Sequence, residues 1–470
     1  MALQQIGKIA PKSSQEIQKS QIGLGFEKLD RDIFDPQKAY PFVAASGIKW
    51  ARLQSGWQKT EKEEGVYDFA WLDSIVDSML AMGVEPWLCL CYGNKLYTEA
   101  AEAVFGAVGC PPIHTERERE AWLRYVKATV THFHGRIHYY EVWNEPDGVW
   151  CWKHGPSADE LAAFTIATAK ACKEADGSCE VVGFVTCCHH KDFHEAMGEA
   201  GVCQYLDAIS YHAYTASEAE FSSIFRFYDE LRKKYTPRLK IIQGESGTQS
   251  RPDGCGALAG GAWTEEKQAK YLLRHLITDL ALGVAFSSYF SCMDMAEALN
   301  GSTGDKLSIR DFGYFGVVGA EFDEEARSTG NYYAKPSYTA LQHLTAVLCE
   351  DYAPAAIRAT PVTEYSTKML GNNFSFAGAT QYAFTRPSGS TAFFYWKPTE
   401  ILTETYEGET SFCLSANEIG EKTVRLLDMR SGVIYALGEG QLTREGGDYH
   451  FHNLPITDSP LLLDFGDFYQ

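Results

Sequence analysis

Two carboxylates stand at the ends of two predicted strands, about a hundred residues apart. The apolar run 139–143 ends in Asn144 and Glu145, and the proline that follows closes the strand because it has no N–H for the ladder. The apolar run 239–243 leads to Glu245, which lies between Gly244 and Gly247. Two carboxyl groups that face each other can act as general acid/base and nucleophile, the pair required for glycosidic bond hydrolysis with retained configuration.

The elements that must position these carboxylates alternate between apolar runs and helical patterns over residues 21–349. The predicted strands are 22–27, 48–53, 86–92, 139–143, 180–184, 206–212, 239–245 and 284–290. Eight strands that alternate with helices predict an α/β fold, a closed (β/α)8 TIM barrel. Such barrels carry their sites at the C-terminal ends of the strands, where both glutamates fall.

The pattern changes near residue 350. Short apolar runs such as 391–396 and 423–427 are separated by turn residues and show no strong helical period. This pattern predicts an antiparallel β-sandwich over residues 350–470. Residues 1–20 are polar, and we expect them to pack on the sandwich.

Composition limits the partners of the chain. The net charge of −20 over 470 residues argues against a nucleic-acid surface and against an anionic membrane. No run is long and apolar enough to span a bilayer, and residues 1–21 lack the apolar segment of a signal peptide. The 13 scattered cysteines then indicate reduced thiols in a cytoplasmic protein. The sequence leaves open whether the chain is a homo-oligomer.

The motif Trp143–Pro146, with Gly244 and Glu245 on the predicted seventh strand, resembles clan A of the glycoside hydrolases. Within that clan the layout is similar to family 39, the β-xylosidase and α-L-iduronidase group, and the segments 65–69 and 335–338 also resemble that group. The resemblance covers the whole barrel and, more loosely, the sandwich. It implies a retaining glycosidase with a carbohydrate substrate and without a metal or an organic cofactor.

The resemblance also implies roles for five residues. Glu145 is the expected acid/base, and Glu245 is the expected nucleophile. Arg52 matches the arginine that holds the nucleophile, Tyr214 matches its tyrosine donor, and Asn144 matches the contact to the sugar 2-hydroxyl. An ionised nucleophile close to the acid is expected to raise the pKa of the acid. The structural alternatives are an ordinary salt bridge, a packed aromatic ring and a strand-end cap.

Further candidates come from position alone. His212 fits the clan's His-x-Tyr pattern, with a core histidine as the alternative. Glu27, at the end of the predicted first strand, is a candidate for binding sugar hydroxyls. Glu141 shares the barrel side with Glu145 because side chains alternate along a strand, and nothing in the sequence names its partner. The aromatic candidates for contact with the sugar are Trp57, Tyr92, Trp150, Trp152 and Tyr289.

The cluster Cys187–His190, with His194, follows the predicted fifth strand. Thiols and imidazoles can bind zinc, but adjacent residues rarely share one tetrahedral ion and the spacing is not that of a Cys-x-x-Cys pair. The sequence therefore favours pocket-lining histidines over a metal site.

These observations predict a retaining exo-glycosidase that acts on small β-xylosides, β-glucosides or β-galactosides. The alternatives are an α-L-arabinofuranosidase, an endo-glycosidase on the same barrel, and a non-catalytic carbohydrate-binding protein. The sugar stays open because such pockets differ by one or two polar contacts.

Overall fold

The computed structural model describes residues 3–103, 107–297, 311–323, 328–361, 378–401 and 407–470. Eight parallel strands form a closed barrel in chain order. They are Ile22–Gly25, Trp50–Gln54, Glu85–Leu90, Tyr139–Val142, Glu180–Thr186, Ala208–His212, Lys240–Ser246 and Ser287–Tyr289. The eighth strand pairs with the first, which closes the ring. This confirms the predicted TIM barrel.

Helices cover the outside of the barrel between the strands. The α-helices are Pro36–Ala45, Trp57–Thr60, Ala70–Ala81, Glu116–His132, Ala158–Ala175, Lys191–Glu199, Ala219–Tyr235, Glu265–Leu282, Pro336–Val347 and Ala416–Ile419, and short 3₁₀ turns span Leu29–Arg31, Glu99–Ala103 and Val202–Tyr205. Local sequence sets their ends. Thr115 and Glu118 form a capping box, and Thr264 caps the helix that follows the seventh strand.

Short antiparallel hairpins decorate the barrel. They pair Glu61–Glu63 with Val66–Tyr67, Met295–Glu297 with Asp311–Gly313, and Val318–Phe322 with Ser328–Ala334. The last two follow the eighth strand, at the end of the barrel where the strands terminate. They lie close to the predicted catalytic residues.

The C-terminal region forms two antiparallel sheets, as predicted. In spatial order, the larger sheet contains Gln4–Lys8, Val433–Ala436, Val424–Asp428, Leu461–Phe465, Thr391–Trp396, Thr380–Thr385 and Ala353–Ala355, and the smaller contains Thr360–Pro361, Glu407–Leu414, Asp448–Thr457 and Leu442–Glu445. Phe393 and Tyr395 of the larger sheet pack on Phe412 of the smaller, with ring centroids 6.1 and 5.5 Å apart. The N-terminal strand is thus an edge strand of the larger sheet. The exact domain boundary near residue 349 stays a prediction.

A buried polar network fastens the sheets to the barrel. Lys270, in helix Glu265–Leu282, lies 3.0 Å from the carboxylate of Asp458, and both side chains are fully buried. Arg274, one turn further along, donates to Glu218 and to the backbone carbonyl of Thr399. Charges removed from water need partners of this kind, so the network fixes how the two parts meet.

None of the described helices is long and apolar enough to cross a membrane.

The buried pair gives a stability prediction. Replacement of Asp458 by alanine leaves the Lys270 ammonium in a dry interface, so we expect the free energy of unfolding to fall by about 3–5 kcal/mol. Asp351→Ala is the control, because its ion pair with Lys19 is exposed on both sides and such pairs contribute little. Thermal melts of the two variants beside wild type test this, and equal melting temperatures for both variants would contradict it.

Candidate active site

The two predicted catalytic carboxylates meet at the C-terminal end of the barrel. Glu145 lies just past the fourth strand, Glu245 lies near the end of the seventh, and each is 9% exposed. One oxygen of each carboxylate and one ring nitrogen of His212 all lie within 4.8 Å of one another. Strands four, six and seven thus bring these three groups to one point, although they are widely spaced in the chain.

The backbone bends sharply to present Glu145. Trp143 has a φ of 68° and Glu145 a φ of 43°, a region that side-chain-bearing residues seldom adopt. The Glu145 N–H donates to the carbonyl of Val185 at 2.9 Å, which ties this turn to the end of the fifth strand. Strain of this kind persists where surrounding contacts enforce it, and it is concentrated at functional sites.

Arg52 is the centre of the site. Its guanidinium is fully buried and donates to four side chains. Nε donates to Glu141 at 2.6 Å, Nη1 donates to Glu245 at 2.6 Å and to Glu27 at 3.0 Å, and Nη2 donates to the amide oxygen of Asn144 at 2.9 Å. The predicted contact between Arg52 and Glu245 is therefore present in the structure. Arg52 also supplies the partner of Glu141 that sequence reasoning lacked.

Both oxygens of the Glu245 carboxylate have a donor. Arg52 holds Oε2, and the Tyr214 hydroxyl donates to Oε1 at 2.6 Å. Burial and the nearby carboxylates, Glu245 first among them, raise the pKa of Tyr214, so its hydroxyl keeps the proton that it donates. Arg52 and Tyr214 thus hold both oxygens of the Glu245 carboxylate and fix its orientation at the barrel mouth.

The Glu145 carboxylate also has two donors, and this differs from the sequence-based expectation. His212 Nδ1 lies 2.9 Å from Oε1, and Trp150 Nε1 donates to Oε2 at 2.5 Å. Burial raises the pKa of Glu145, but the hydrogen bond and charge of His212, with the Trp150 bond, outweigh burial and lower it. The predicted rise in the pKa of the acid is wrong for the unliganded site.

His212, the neighbour of Glu145, carries a proton that Glu145 lacks. Burial lowers the pKa of His212, but the carboxylates of Glu245 and Glu145 overcome that effect and raise it. A protonated imidazole with Nδ1 directed at Glu145 is therefore the form that this geometry stabilises. The predicted residue His212 lies in the site as a direct partner of the acid/base carboxylate.

Asn144 is oriented by the same arginine. A guanidinium can only donate, so the amide oxygen must face Arg52 and the amide NH₂ must face away from it. The NH₂ group makes a long contact of 3.5 Å with the Cys151 thiol. Its donor capacity is thus largely available to a ligand, which matches the predicted contact to a sugar hydroxyl.

The five predicted aromatic residues divide by burial. Trp150 is 41% exposed beside Val149, which is 62% exposed, so the pair forms an apolar rim at the mouth. Trp57 and Trp152 are fully buried, and their indoles donate to Glu61 and Glu160. The interpretation of these two tryptophans as sugar platforms is wrong, because their rings belong to the core.

Tyr92 and Tyr289 stand behind the site. Tyr92 is 3% exposed, packs edge-on against Trp143 at 5.5 Å, and accepts a hydrogen bond from Gln54. Tyr289 is fully buried, and its hydroxyl accepts from the backbone N–H of Thr248. Both rings support the residues around the pocket rather than offering a face to a ligand.

Sequence reasoning missed Phe315. Its ring lies 6.2 Å from Tyr214 and 5.2 Å from Phe290, so it completes the wall beside the nucleophile's donor. It comes from the segment between the hairpins after the eighth strand, where no periodic pattern announces its direction. Gly247, two residues after Glu245, indicated that another segment packs closely here. A Cβ at this position would lie 1.9 Å from the Phe290 carbonyl oxygen.

The cysteine–histidine cluster is held by hydrogen bonds. Asp147 accepts the backbone N–H groups of Cys187 and Cys188, and a ligand atom of each of the three lies within 4.8 Å of the others. His189 bonds the Tyr228 hydroxyl at 2.8 Å, and His194 is fully buried. These contacts fix the loop after the fifth strand beside Glu145. The Asp147 carboxylate therefore has a structural role as the acceptor of these backbone N–H groups.

The central position of Arg52 gives a second stability prediction. Arg52→Met should strongly destabilise the protein at neutral pH, because it leaves buried carboxylates without their cation. The Arg52 charge lowers the pKa values of Glu27 and Glu145, so its loss raises them and the defect should shrink as the pH falls towards about 5. Melting temperatures at about pH 5 and 8 test this against Arg117→Met, whose ion pair is exposed. A defect of equal size at both pH values would contradict it.

The barrel part of the chain is similar to known glycoside hydrolases. Residues 47–244 match the model of the family described as glycosyl hydrolases family 39, and the match ends one residue before Glu245. Over 178 residues, or 35% of the chain, the protein is 30% identical to a β-xylosidase of Geobacillus stearothermophilus. That alignment spans 34% of the relative, so the matched part is about a third of its length.

Solved structures share the fold over nearly the whole chain. A family 39 glycoside hydrolase from the gut symbiont Bacteroides cellulosilyticus WH2 superposes with a TM-score of 0.65 at 15% identity, covering 95% of this chain and 80% of its own. A family 39 β-xylosidase from Caulobacter crescentus gives a TM-score of 0.57 at 16% identity and covers 99% of each chain. At such identities the structures establish the fold alone. Together, the match of residues 47–244 and the shared fold show that the barrel part of this chain is similar to the glycosyl hydrolases of family 39.

Proposed function

We propose that the protein is a retaining exo-glycosidase that hydrolyses small β-xylosides by double displacement. The observation that carries the proposal is the pair Glu145 and Glu245, whose carboxylate oxygens approach within 4.8 Å across the barrel mouth. The β-xylosidase relative supports xylose as the sugar. The mechanism and the substrate are separate parts of the proposal and are tested separately.

The carboxylate separation supports retention of configuration. In retaining enzymes the two carboxyl groups stand about 5–5.5 Å apart, whereas inverting enzymes need about 6.5–9.5 Å to fit a water beneath the sugar. One oxygen of Glu145 and one of Glu245 lie within 4.8 Å of each other, and this close approach supports the retaining arrangement.

In the first step the ionised Glu245 attacks the anomeric carbon while Glu145 protonates the departing oxygen. Glu145 needs a proton for this step, and His212 is its source because it holds one against Oε1. In the second step the ionised Glu145 removes a proton from water, and that water displaces Glu245 from the sugar. His212 then takes this proton from Glu145, which returns both groups to their starting charges.

Four further residues act on the sugar, the leaving group and the nucleophile through these steps. The Asn144 NH₂ donates to the 2-hydroxyl oxygen, a contact that strengthens in the transition state. Arg52 and Tyr214 donate to the two oxygens of Glu245. They stabilise the negative charge that returns to this carboxylate when the glycosyl–enzyme bond breaks. Trp150, exposed and bonded to Glu145, lies where the leaving group departs and offers it an apolar face.

The wall beside Tyr214 supports action at chain ends. Phe290 and Phe315 pack around this tyrosine from segments that follow the eighth strand. An open cleft for long chains needs both sides of the barrel mouth clear, and this side is occupied. Endo-action and α-L-arabinofuranoside cleavage remain as outcomes of the substrate panel described below.

A reducing compartment fits the cysteines. All thirteen carry free thiols, and most are buried. Cys187 and Cys188 are adjacent, and their sulfurs lie 3.8 Å apart. We therefore propose a cytoplasmic location, in which the substrates are small glycosides that reach the cell interior.

The first test is a panel of 4-nitrophenyl glycosides assayed with wild type and Glu245→Gln. We expect turnover of the β-xyloside by wild type and a loss of at least about 10⁴-fold in the variant, because the amide cannot attack. The panel includes the β-glucoside, β-galactoside, β-glucuronide and α-L-arabinofuranoside. Activity on another member alone would replace xylose. Silence on all of them, with no cleavage of oligosaccharides, would favour a binding protein.

The second test separates acid/base from nucleophile. Glu145→Ala should slow hydrolysis of unactivated β-xylosides by about 10²–10⁴-fold and spare substrates with good leaving groups, since those need no proton. Azide should restore its rate by taking the place of the base-activated water, and the product should be the β-xylosyl azide. An α-configured azide, identified by NMR, would refute the retaining mechanism.

A further inference from the structure

Glu27 is folded back onto the barrel mouth by a glycine. The first strand ends at Gly25, and Glu27 follows two residues later. A Cβ on Gly25 would lie 3.1–3.2 Å from all three carboxyl atoms of Glu27, so the carboxyl group lies flat against the bare backbone. The side chain is 2% exposed. A carboxylate in such a place needs strong compensation to stay charged.

The compensation available to Glu27 is shared. Three carboxyl groups, those of Glu27, Glu141 and Glu245, contact the single positive charge of Arg52. Glu27 and Glu245 accept from the same nitrogen, Nη1, and the contact to Glu27 is the longest at 3.0 Å. Like charges this close repel one another, and this repulsion favours a proton on one of the groups.

Of the three carboxyl groups, Glu27 has the weakest hydrogen bonding to stabilise a negative charge. Glu245 has a second donor in Tyr214, and Glu141 has the shorter bond of 2.6 Å to Nε. The charged groups that face Glu27 are Arg52, Glu245 and, further away, His212. Burial and then Glu245 raise the pKa of Glu27 to about 8, against the lowering effect of Arg52 and His212. Glu27 is therefore uncharged through the neutral range.

The two oxygens of Glu27 have different surroundings. Oε1 accepts from Arg52, whereas Oε2 makes no hydrogen bond within the part of the chain that the structure describes. Oε2 also retains a small contact with solvent. A protonated carboxyl whose acceptor oxygen is occupied presents O–H from the other oxygen.

On the basis of the proposed glycosidase function, we propose that Glu27 binds the sugar as a neutral carboxylic acid. Arg52 holds Oε1, and Oε2 donates its hydrogen to an oxygen of the sugar that lies over Glu245. Ionisation of Glu27 removes this donor and places a second negative charge on the nitrogen that holds Glu245. Substrate binding then weakens on the alkaline side, and Glu27 sets that limit.

Glu27→Gln tests the proposal, because the amide keeps the shape, the acceptor and the donor but cannot ionise. Glu141→Gln is the matched control, since it also removes a carboxyl group from Arg52 but lies inside the barrel, fully buried. We expect kcat/KM of wild type for 4-nitrophenyl β-xyloside to fall above about pH 8. At about pH 9, Glu27→Gln should retain roughly ten-fold more of its optimal kcat/KM than wild type or Glu141→Gln does of theirs.

Three kinetic results would overturn the proposal. The first is an unchanged alkaline limb in Glu27→Gln. The second is an equal change in Glu141→Gln, which would mean that any charge removed from Arg52 has this effect. The third is a folded Glu27→Gln without activity at any pH, because the amide also donates.

A second measurement does not depend on turnover. The folded pKa of Glu27, about 8, lies above its ordinary value of 4.5, so the folded protein retains a proton that the unfolded chain releases. Wild type should lose stability relative to Glu27→Gln as the pH rises from about 5 to about 8. Melting temperatures of wild type and Glu27→Gln should diverge accordingly, and by more than those of wild type and Glu141→Gln, because Glu27 still titrates in Glu141→Gln. Parallel melting curves would refute the neutral acid even if every glycoside assay failed, whereas divergence without activity would leave the acid in place and refute only the glycosidase.

Discussion

The site depends on one buried cation. Arg52 is fully enclosed, and its guanidinium contacts side chains from the ends of strands one, four and seven while it stands on strand two. A charge in such a place is tolerated only with charged, hydrogen-bonded partners, so the carboxylates and Arg52 require one another. The closed barrel makes this possible, because only closure brings strands one and seven to opposite sides of the same group. The closed barrel is thus what places the partners of Arg52 around its buried charge.

The same arrangement fixes the protons. Arg52 and Tyr214 hold the Glu245 carboxylate, His212 lowers the pKa of Glu145, and Glu27 is left as the uncharged member. Trp150 is one of the two donors that stabilise a negative charge on Glu145, so loss of its hydrogen bond would raise the pKa of Glu145.

Much of this arrangement followed from sequence, and the reasons for the failures are physical. Apolar runs that alternate with helices specify the strand order, and barrel geometry then places Glu145 and Glu245 at the same end. Position in the chain does not specify burial. Trp57 follows the second strand as predicted, but the four-residue helix Trp57–Thr60 turns its ring into the core against Trp122. The pKa direction of Glu145 was also beyond sequence, because it depends on donors that approach from elsewhere in the fold.

The C-terminal sheets are linked to the strand of Glu245 through one helix. Helix Glu265–Leu282 follows that strand, and its His275 bonds Gln243 on the strand at 2.8 Å. The same helix presents Lys270 to the buried Asp458 of the sheets. One helix therefore contacts both the strand that carries Glu245 and the sheets. Since Arg52 and Tyr214 hold Glu245 by bonds of 2.6 Å, the position of this strand matters for the site, and the helix ties that position to the C-terminal sheets.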